Sequence, residues 1–175
     1  MARIRGGKMK RFCTPFTDAD IAELNVGDMI YVSGYIFCGR DAVLPKIVEE
    51  VRAGTISSDI NLNGNVIFHT AVSPAGVGPT SSNKLEIETS MIPLSRYAGI
   101  KIHLGKGKIS DETVKALANI KAAYAVIPPV TALLESKTSE RVCVAHPELG
   151  MEALYRVKVK DYPIIIAAAK GRSIY

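Results

Sequence analysis

Arg40, Thr80, Lys84 and Lys106 are the residues whose neighbours best equip them for chemistry. Arg40 lies in Cys38-Gly39-Arg40-Asp41-Ala42, Thr80 and Lys84 in Gly78-Pro79-Thr80-Ser81-Ser82-Asn83-Lys84, and Lys106 in Gly105-Lys106-Gly107. Each segment sets a cation or a hydroxyl beside small or turn-forming residues, where backbone can approach a small ligand closely. Each also adjoins an apolar run, which puts it at the end of a strand or the start of a helix. Three such segments in one short chain suggest a pocket for a small dianion such as a dicarboxylate. Thr80 and Lys84 are four apart, so one helical turn would put both on one side. The plainer alternatives are helix capping for the hydroxyls at 80–83 and pairing with a surface acid for Arg40.

No metal site accompanies these segments. Cys13, Cys38 and Cys143 are odd in number and far apart, which fits neither a disulfide framework nor the spacing of a zinc or iron–sulfur site. Cys38 is the one to watch, because a cation two residues away at Arg40 lowers a thiol pKa. His69, His103 and His146 are distant from one another on strand-like stretches and read as packed or half-exposed residues rather than ligands. A chain with anion-binding groups and no metal ligands points to a partner.

The elements that must carry these residues alternate. Residues 29–37 read as a strand after the turn at Gly27-Asp28. A helix is expected from Asp41 as N-cap, with Val43, Leu44, Ile47, Val48 and Val51 at helical spacing and Gly54 at its end. That places Arg40 just before a helix N-terminus, where amides and dipole favour an anion. Residues 66–72 read as a strand, 73–79 as a loop, and the stretch toward Tyr97 as a helix interrupted near Pro93. Residues 100–104 form a strand before Gly105, and Ser110 caps a helix carrying Val114, Leu117 and Ile120. Strands follow at 124–127, 142–144, 153–159 and 164–168, with a short helix at 131–136. The class is α/β. Gly105-Lys106-Gly107 is not a phosphate-binding P-loop, since Gly107 stands where Ser or Thr is needed.

The chain has 175 residues, 47% hydrophobic and 22% charged, enough for one domain with a sizeable core. Its net charge of +5 matches the five cations at positions 3, 5, 8, 10 and 11. We therefore expect a flexible basic arm at 1–11 and a single domain at 12–175. Such an arm can touch an acidic partner or RNA, but a solvated tail is the ordinary reading, and no nucleic-acid partner is expected. No apolar run approaches the ~20 residues of a membrane span. The basic start lacks the apolar core of a signal peptide, so a cytoplasmic protein is expected.

Eight short segments, in order from Thr14 to about Gly171, resemble the β subunit of class I fumarate hydratases and the similar L-tartrate dehydratase β subunit. They are Thr14-Pro15, Leu24 through Gly27-Asp28, Ser33-Gly34, Arg40-Asp41-Ala42, Gly78-Pro79-Thr80-Ser81, Gly105-Lys106-Gly107, Gly150-Met151-Glu152-Ala153 and Asp161-Tyr162-Pro163. The resemblance implies a swivelling β/β/α domain with a mixed sheet and flanking helices. It implies a hydro-lyase that reversibly hydrates a dicarboxylate, with a 4Fe–4S cluster in a partner α subunit and none bound by this chain. It also implies contact between β subunits, or a homo-oligomer, when the chain is isolated. By resemblance Arg40 binds a substrate carboxylate, Thr80 transfers the proton, and Lys106 contacts substrate and helps lower the Thr80 pKa. Lys84 stands where the family has Arg, and Leu44 where it has His. Ala71-Val72 replaces a Gly-Pro, and the loop before Thr80 is shorter. These departures make room for a hydroxy-dicarboxylate other than fumarate, such as tartrate, for weakened catalysis, or for a binding or assembly domain that keeps the fold.

Overall fold

The computed structural model describes residues 10–73, 76–77, 84–128 and 137–175, with backbone alone at 73, 76–77 and 84–87. The expected helix at 131–136 lies outside these, as do residues 78–83, which hold Thr80 and the end of the loop expected at 73–79. The elements run β1 (Lys10–Cys13), α1 (Asp18–Ala22), β2 (Met29–Gly39), α2 (Leu44–Ala53), β3 (Val66–His69), β4 (Val72–Ser73) and β5 (Gly76–Val77). They continue with α3 (Lys84–Ala98), β6 (Ile102–Gly105), α4 (Asp111–Asn119), β7 (Ala123–Val126), β8 (Thr138–Ala145), a 3-10 turn (Pro147–Glu152), β9 (Leu154–Ala169) and β10 (Arg172–Ser173). Among the described residues no helix is long and apolar enough to cross a membrane.

The main sheet closes on itself. β2, β3, β6 and β7 run parallel in that order. β9 then pairs antiparallel with β7 on one side and β2 on the other. β8 extends the antiparallel part along β9, and β1 and β10 add short strands to β2 and β9. Alternation along each strand sends one set of side chains inward: Ile30, Val32, Ile36, Val66, Phe68, Ile102, Leu104, Val157, Ile164 and Ile166 form the inner core. The opposite faces carry Phe37 and Ile67, packed with Leu44, Ile47 and Leu94 of α2 and α3, and Tyr124, packed with Val114 and Leu117 of α4. The result is two strand layers and a helix layer, the α/β class expected. Burying a Leu or Ile this fully contributes roughly 1.5–3 kcal/mol each.

Several sequence expectations are revised. α2 starts at Leu44, not Asp41, and Val43 at its N-cap makes no side-chain cap bond. Residues 41–43 form a turn closed by the Arg40 carbonyl, which accepts from the Val43 and Leu44 amides at 3.1 and 2.9 Å. Pro45 explains the delay: a helix capped by Asp41 would need the residue 45 amide as its first intrahelical donor, and proline has none, whereas in the first turn of a helix starting at Leu44 no donor is needed there. Pro93 does not interrupt α3, which runs on to Ala98. The stretches 153–159 and 164–168 belong to one 16-residue strand, β9, bent at Asp161, whose φ is +48. The strand read at 66–72 ends as β3 at His69, and the stretch read as a loop at 73–79 instead carries part of a separate two-stranded sheet, β4 with β5. Lys10 and Arg11, read as the end of a basic arm, open β1 beside Ile30 and Tyr31.

Three of the quoted segments turn out to be joints of this frame. Gly34 has φ +107 and a β-bulge, and a Cβ there would stand 2.5 Å from Thr14 Oγ1. That hydroxyl donates to the Tyr35 carbonyl at 2.7 Å. The Asp161 amide donates to Ser33 Oγ at 2.9 Å, and the Arg11 guanidinium pairs with the Asp161 carboxylate at 2.6 Å.

Candidate active site

The parallel strands β2, β3, β6 and β7 all end on one rim. Register aligns Gly39 with His69, Phe68 with Leu104, and Gly105 with Val126, so Gly39, His69, Gly105 and Val126 form a row across it. Arg40 and Lys106 are the next residues on their strands. With strands ~4.8 Å apart and β3 between them, their backbones stand about 10 Å apart. The carboxyl ends of parallel strands are where open α/β sheets bind ligands. Two of the four residues picked from sequence are thus brought to one rim. Thr80 lies outside the described residues, and for Lys84 the structure gives only the backbone, at the first residue of α3.

Each rim residue is positioned by its surroundings. Gly39 is tight: a Cβ there would meet Val43 and Leu44 side chains at 3.0 Å. Arg40 has a side chain 22% exposed, with Asp41 at 3.9 Å and Glu152 at 3.7 Å. Lys106 is exposed on the turn whose shape Tyr124 sets. The Tyr124 hydroxyl donates to the Gly107 carbonyl at 3.0 Å, and a Cβ on Gly105 would meet that hydroxyl at 3.0 Å. Burial first, then the charges of Tyr175 and Glu88, pushes the Tyr124 phenol up, so it stays a donor. Tyr124→Phe should lower unfolding stability by about 1 kcal/mol, because one neutral hydrogen bond is lost while the exposed Gly107 carbonyl can take up water. Denaturant titration of both proteins measures it.

Cys38 corrects an expectation. Its side chain packs in the inner core, and burial pushes the thiol up rather than down. It is a packed thiol, not a reactive one. Cys13 and Cys143 are exposed. Among the described residues no three His, Cys, Asp or Glu side chains converge to hold a metal. The described part of the chain therefore does not fit an iron–sulfur cluster.

A buried polar chain that the sequence reading passed over lies directly behind the rim. His69 Nε2 stands 3.1 Å from His103 Nδ1, and His103 Nε2 stands 2.7 Å from Ser95 Oγ of α3. Both rings are fully enclosed. Burial lowers His69 to about 4, with the Asp41 carboxylate pulling partly back. Burial and then the His69 charge lower His103 well below the ordinary range, opposed by a hydrogen bond with the Met91 backbone. The pair ties β3 and β6 to α3. Its signal in sequence was only one histidine at the end of β3 and another two residues before the end of β6.

His146, expected on a strand, instead follows β8 in a left-handed conformation at the start of the 3-10 turn. It bridges Glu50 of α2 and Glu148. Partial burial pulls its pKa down, but hydrogen bonds and charges of Glu148 and Glu50 outweigh this and leave it raised.

Residues 8–175 match the family described as Fumarase C-terminus. The chain is 30% identical over 174 residues to a putative L(+)-tartrate dehydratase subunit beta of Methanocaldococcus jannaschii, covering 91% of this chain and 87% of that protein. It is 30% identical over 171 residues to the L(+)-tartrate dehydratase subunit beta of Escherichia coli K12, covering 90% and 82%. It is 28% identical over 167 residues to the anaerobic class I fumarate hydratase of the same strain, covering 90% of this chain but 30% of that longer protein. With almost its whole length matched, the chain belongs to the Fumarase C-terminus family.

Proposed function

We propose that this chain is the β subunit of an iron–sulfur hydro-lyase that reversibly hydrates a small dicarboxylate, fumarate or a hydroxy-dicarboxylate relative of it. What supports the proposal is that Arg40 and Lys106 follow β2 and β6 at one rim of a domain whose relatives are tartrate dehydratase β subunits and a class I fumarate hydratase. Since the described part of this chain does not fit a cluster, the proposal assigns the 4Fe–4S ligands to a partner α subunit. That cluster would supply Lewis-acid chemistry to the complex.

This chain's own part is binding and proton handling. Arg40 takes one substrate carboxylate through its planar fork. Lys106, two strands away, meets the other end of the dianion or the group that changes charge. Thr80 holds and moves the proton on carbon, with Lys84 and Lys106 as the neighbouring cations that lower the cost of its alkoxide. Lys84 in place of an Arg gives a point charge instead of a fork, which favours a substrate with a hydroxyl at that end over fumarate.

The test is anaerobic co-production with the partner, followed by a screen of fumarate, malate and the tartrates. Turnover by the complex and none by this chain alone is expected. In that complex Arg40→Lys should raise KM about tenfold or more with little change in melting midpoint, since the charge remains and the bidentate geometry goes. A cluster-loaded complex inert toward every dicarboxylate would show a binding or assembly domain instead.

A further inference from the structure

Glu152, at the end of the 3-10 turn, is unaccounted for by the binding roles above. Its Oε1 stands 3.7 Å from Nε of Arg40, and Asp41 Oδ2 stands 3.9 Å from Nη2. Nε and Nη2 share one edge of the planar guanidinium. Each carboxylate thus has its nearest guanidinium nitrogen on that one edge. Neither distance is short enough for a hydrogen bond, so the two acids act on the fork by charge. They are not its only partners.

Glu152 is itself held in place. Gly150 adopts φ 60, ψ −123, a conformation side chains disfavour. Its carbonyl accepts from the Tyr155 hydroxyl and the Ala153 amide, both at 3.1 Å. At the other end of the turn, His146 ties the segment to Glu50 of α2. A six-residue turn pinned at both ends therefore delivers one carboxylate to Arg40.

We propose that Glu152 is a positioning residue for Arg40, fixing one edge of the guanidinium so that its outer end meets a ligand carboxylate. The ligand's identity rests on the function proposed above; the ordering of Arg40 does not. Removing the Glu152 charge also relieves its repulsion of a dianion. A half-exposed charge ~8 Å away in a water-like dielectric changes affinity only about twofold for the nearer ligand charge, and less for the farther one. Releasing a rotamer-rich Arg from its binding geometry costs more, about tenfold.

Two measurements on the full chain decide the proposal. In the complex with its partner, Glu152→Gln should raise KM for the dicarboxylate about tenfold and leave kcat within about twofold. Glu152→Asp should fall between the two, and Glu148→Gln, on the same turn but facing His146, should change neither. In nitrogen-15 spectra of the chain alone, the Arg40 Nε–H signal should shift in Glu152→Gln and stay put in Glu148→Gln. An unmoved signal, or an unchanged or lowered KM, overturns the positioning role. If the wild-type complex turns over no dicarboxylate, the functional proposal fails while the Arg40 signal still decides this one.

Discussion

Thr80→Val in the assembled complex should lower kcat by about 10²–10⁴, the range of acid–base groups, while folding stays nearly intact. A Thr hydroxyl is a very weak base, so this role depends on help. Lys106 lies on the rim turn that Tyr124 shapes, and Lys84 is the first residue of α3. Both cations would stabilise an alkoxide in a water-poor site. If Thr80 only caps α3, the same change should cost roughly 1 kcal/mol of stability and spare turnover. Measuring the melting midpoint and kcat together separates the two. A stability loss with normal kcat removes Thr80 from the mechanism.

Acid should weaken the domain through the His69–His103 pair. Burial lowers the folded-state pKa of His69 to about 4 from an ordinary 6.5. A histidine lowered on folding binds fewer protons in the native state, so stability rises with pH between those two values. The native state is fully favoured above about 6.5, loses ground as pH falls below it, and levels off near 4. At about 1.36 kcal/mol per unit, the gap corresponds to about 3 kcal/mol from His69 alone. His103 is lowered in the same direction and adds to it. Denaturant unfolding at pH 7 and pH 4.5 should show the loss. His69→Gln, which still hydrogen-bonds but does not titrate, should flatten the difference even if it lowers stability at pH 7. An identical pH response in wild type and variant would show that the buried pair does not control acid stability.

Local signals were legible and long-range ones were not. Ser110 caps α4 and Gly54 ends α2 as expected, because capping is decided by residues three or four apart. The length of β9 was hidden by Asp161-Tyr162-Pro163, which reads as a turn; here Asp161 takes the turn-like dihedrals inside a bend, and pairing with Ser33 and Arg11 carries the strand through. Strand β1 was hidden because Lys10 and Arg11 look like a tail until β2 is there to receive them. Arg40 and Lys106 were visible as cations beside glycines, and the family resemblance gave them roles. Glu152 was visible only as part of a quoted segment, with nothing local to aim it at Arg40. The histidine pair was invisible, since only the register between β3 and β6 sets Phe68 beside Leu104 and their neighbours' rings in contact.

The circuit β2–β3–β6–β7–β9 has a consequence for how such a domain changes over time. Every strand in it has a partner on each side, so its hydrogen bonds depend on backbone and core, not on the residues that follow each strand. Arg40 and Lys106 lie beyond the last paired residues. Exchanging an arginine for a lysine there leaves the ring untouched. On the function proposed above, substrate preference and scaffold can therefore drift separately: one frame would serve successive dicarboxylates by altering its rim, and the altered rims would inherit their stability from the strands behind them.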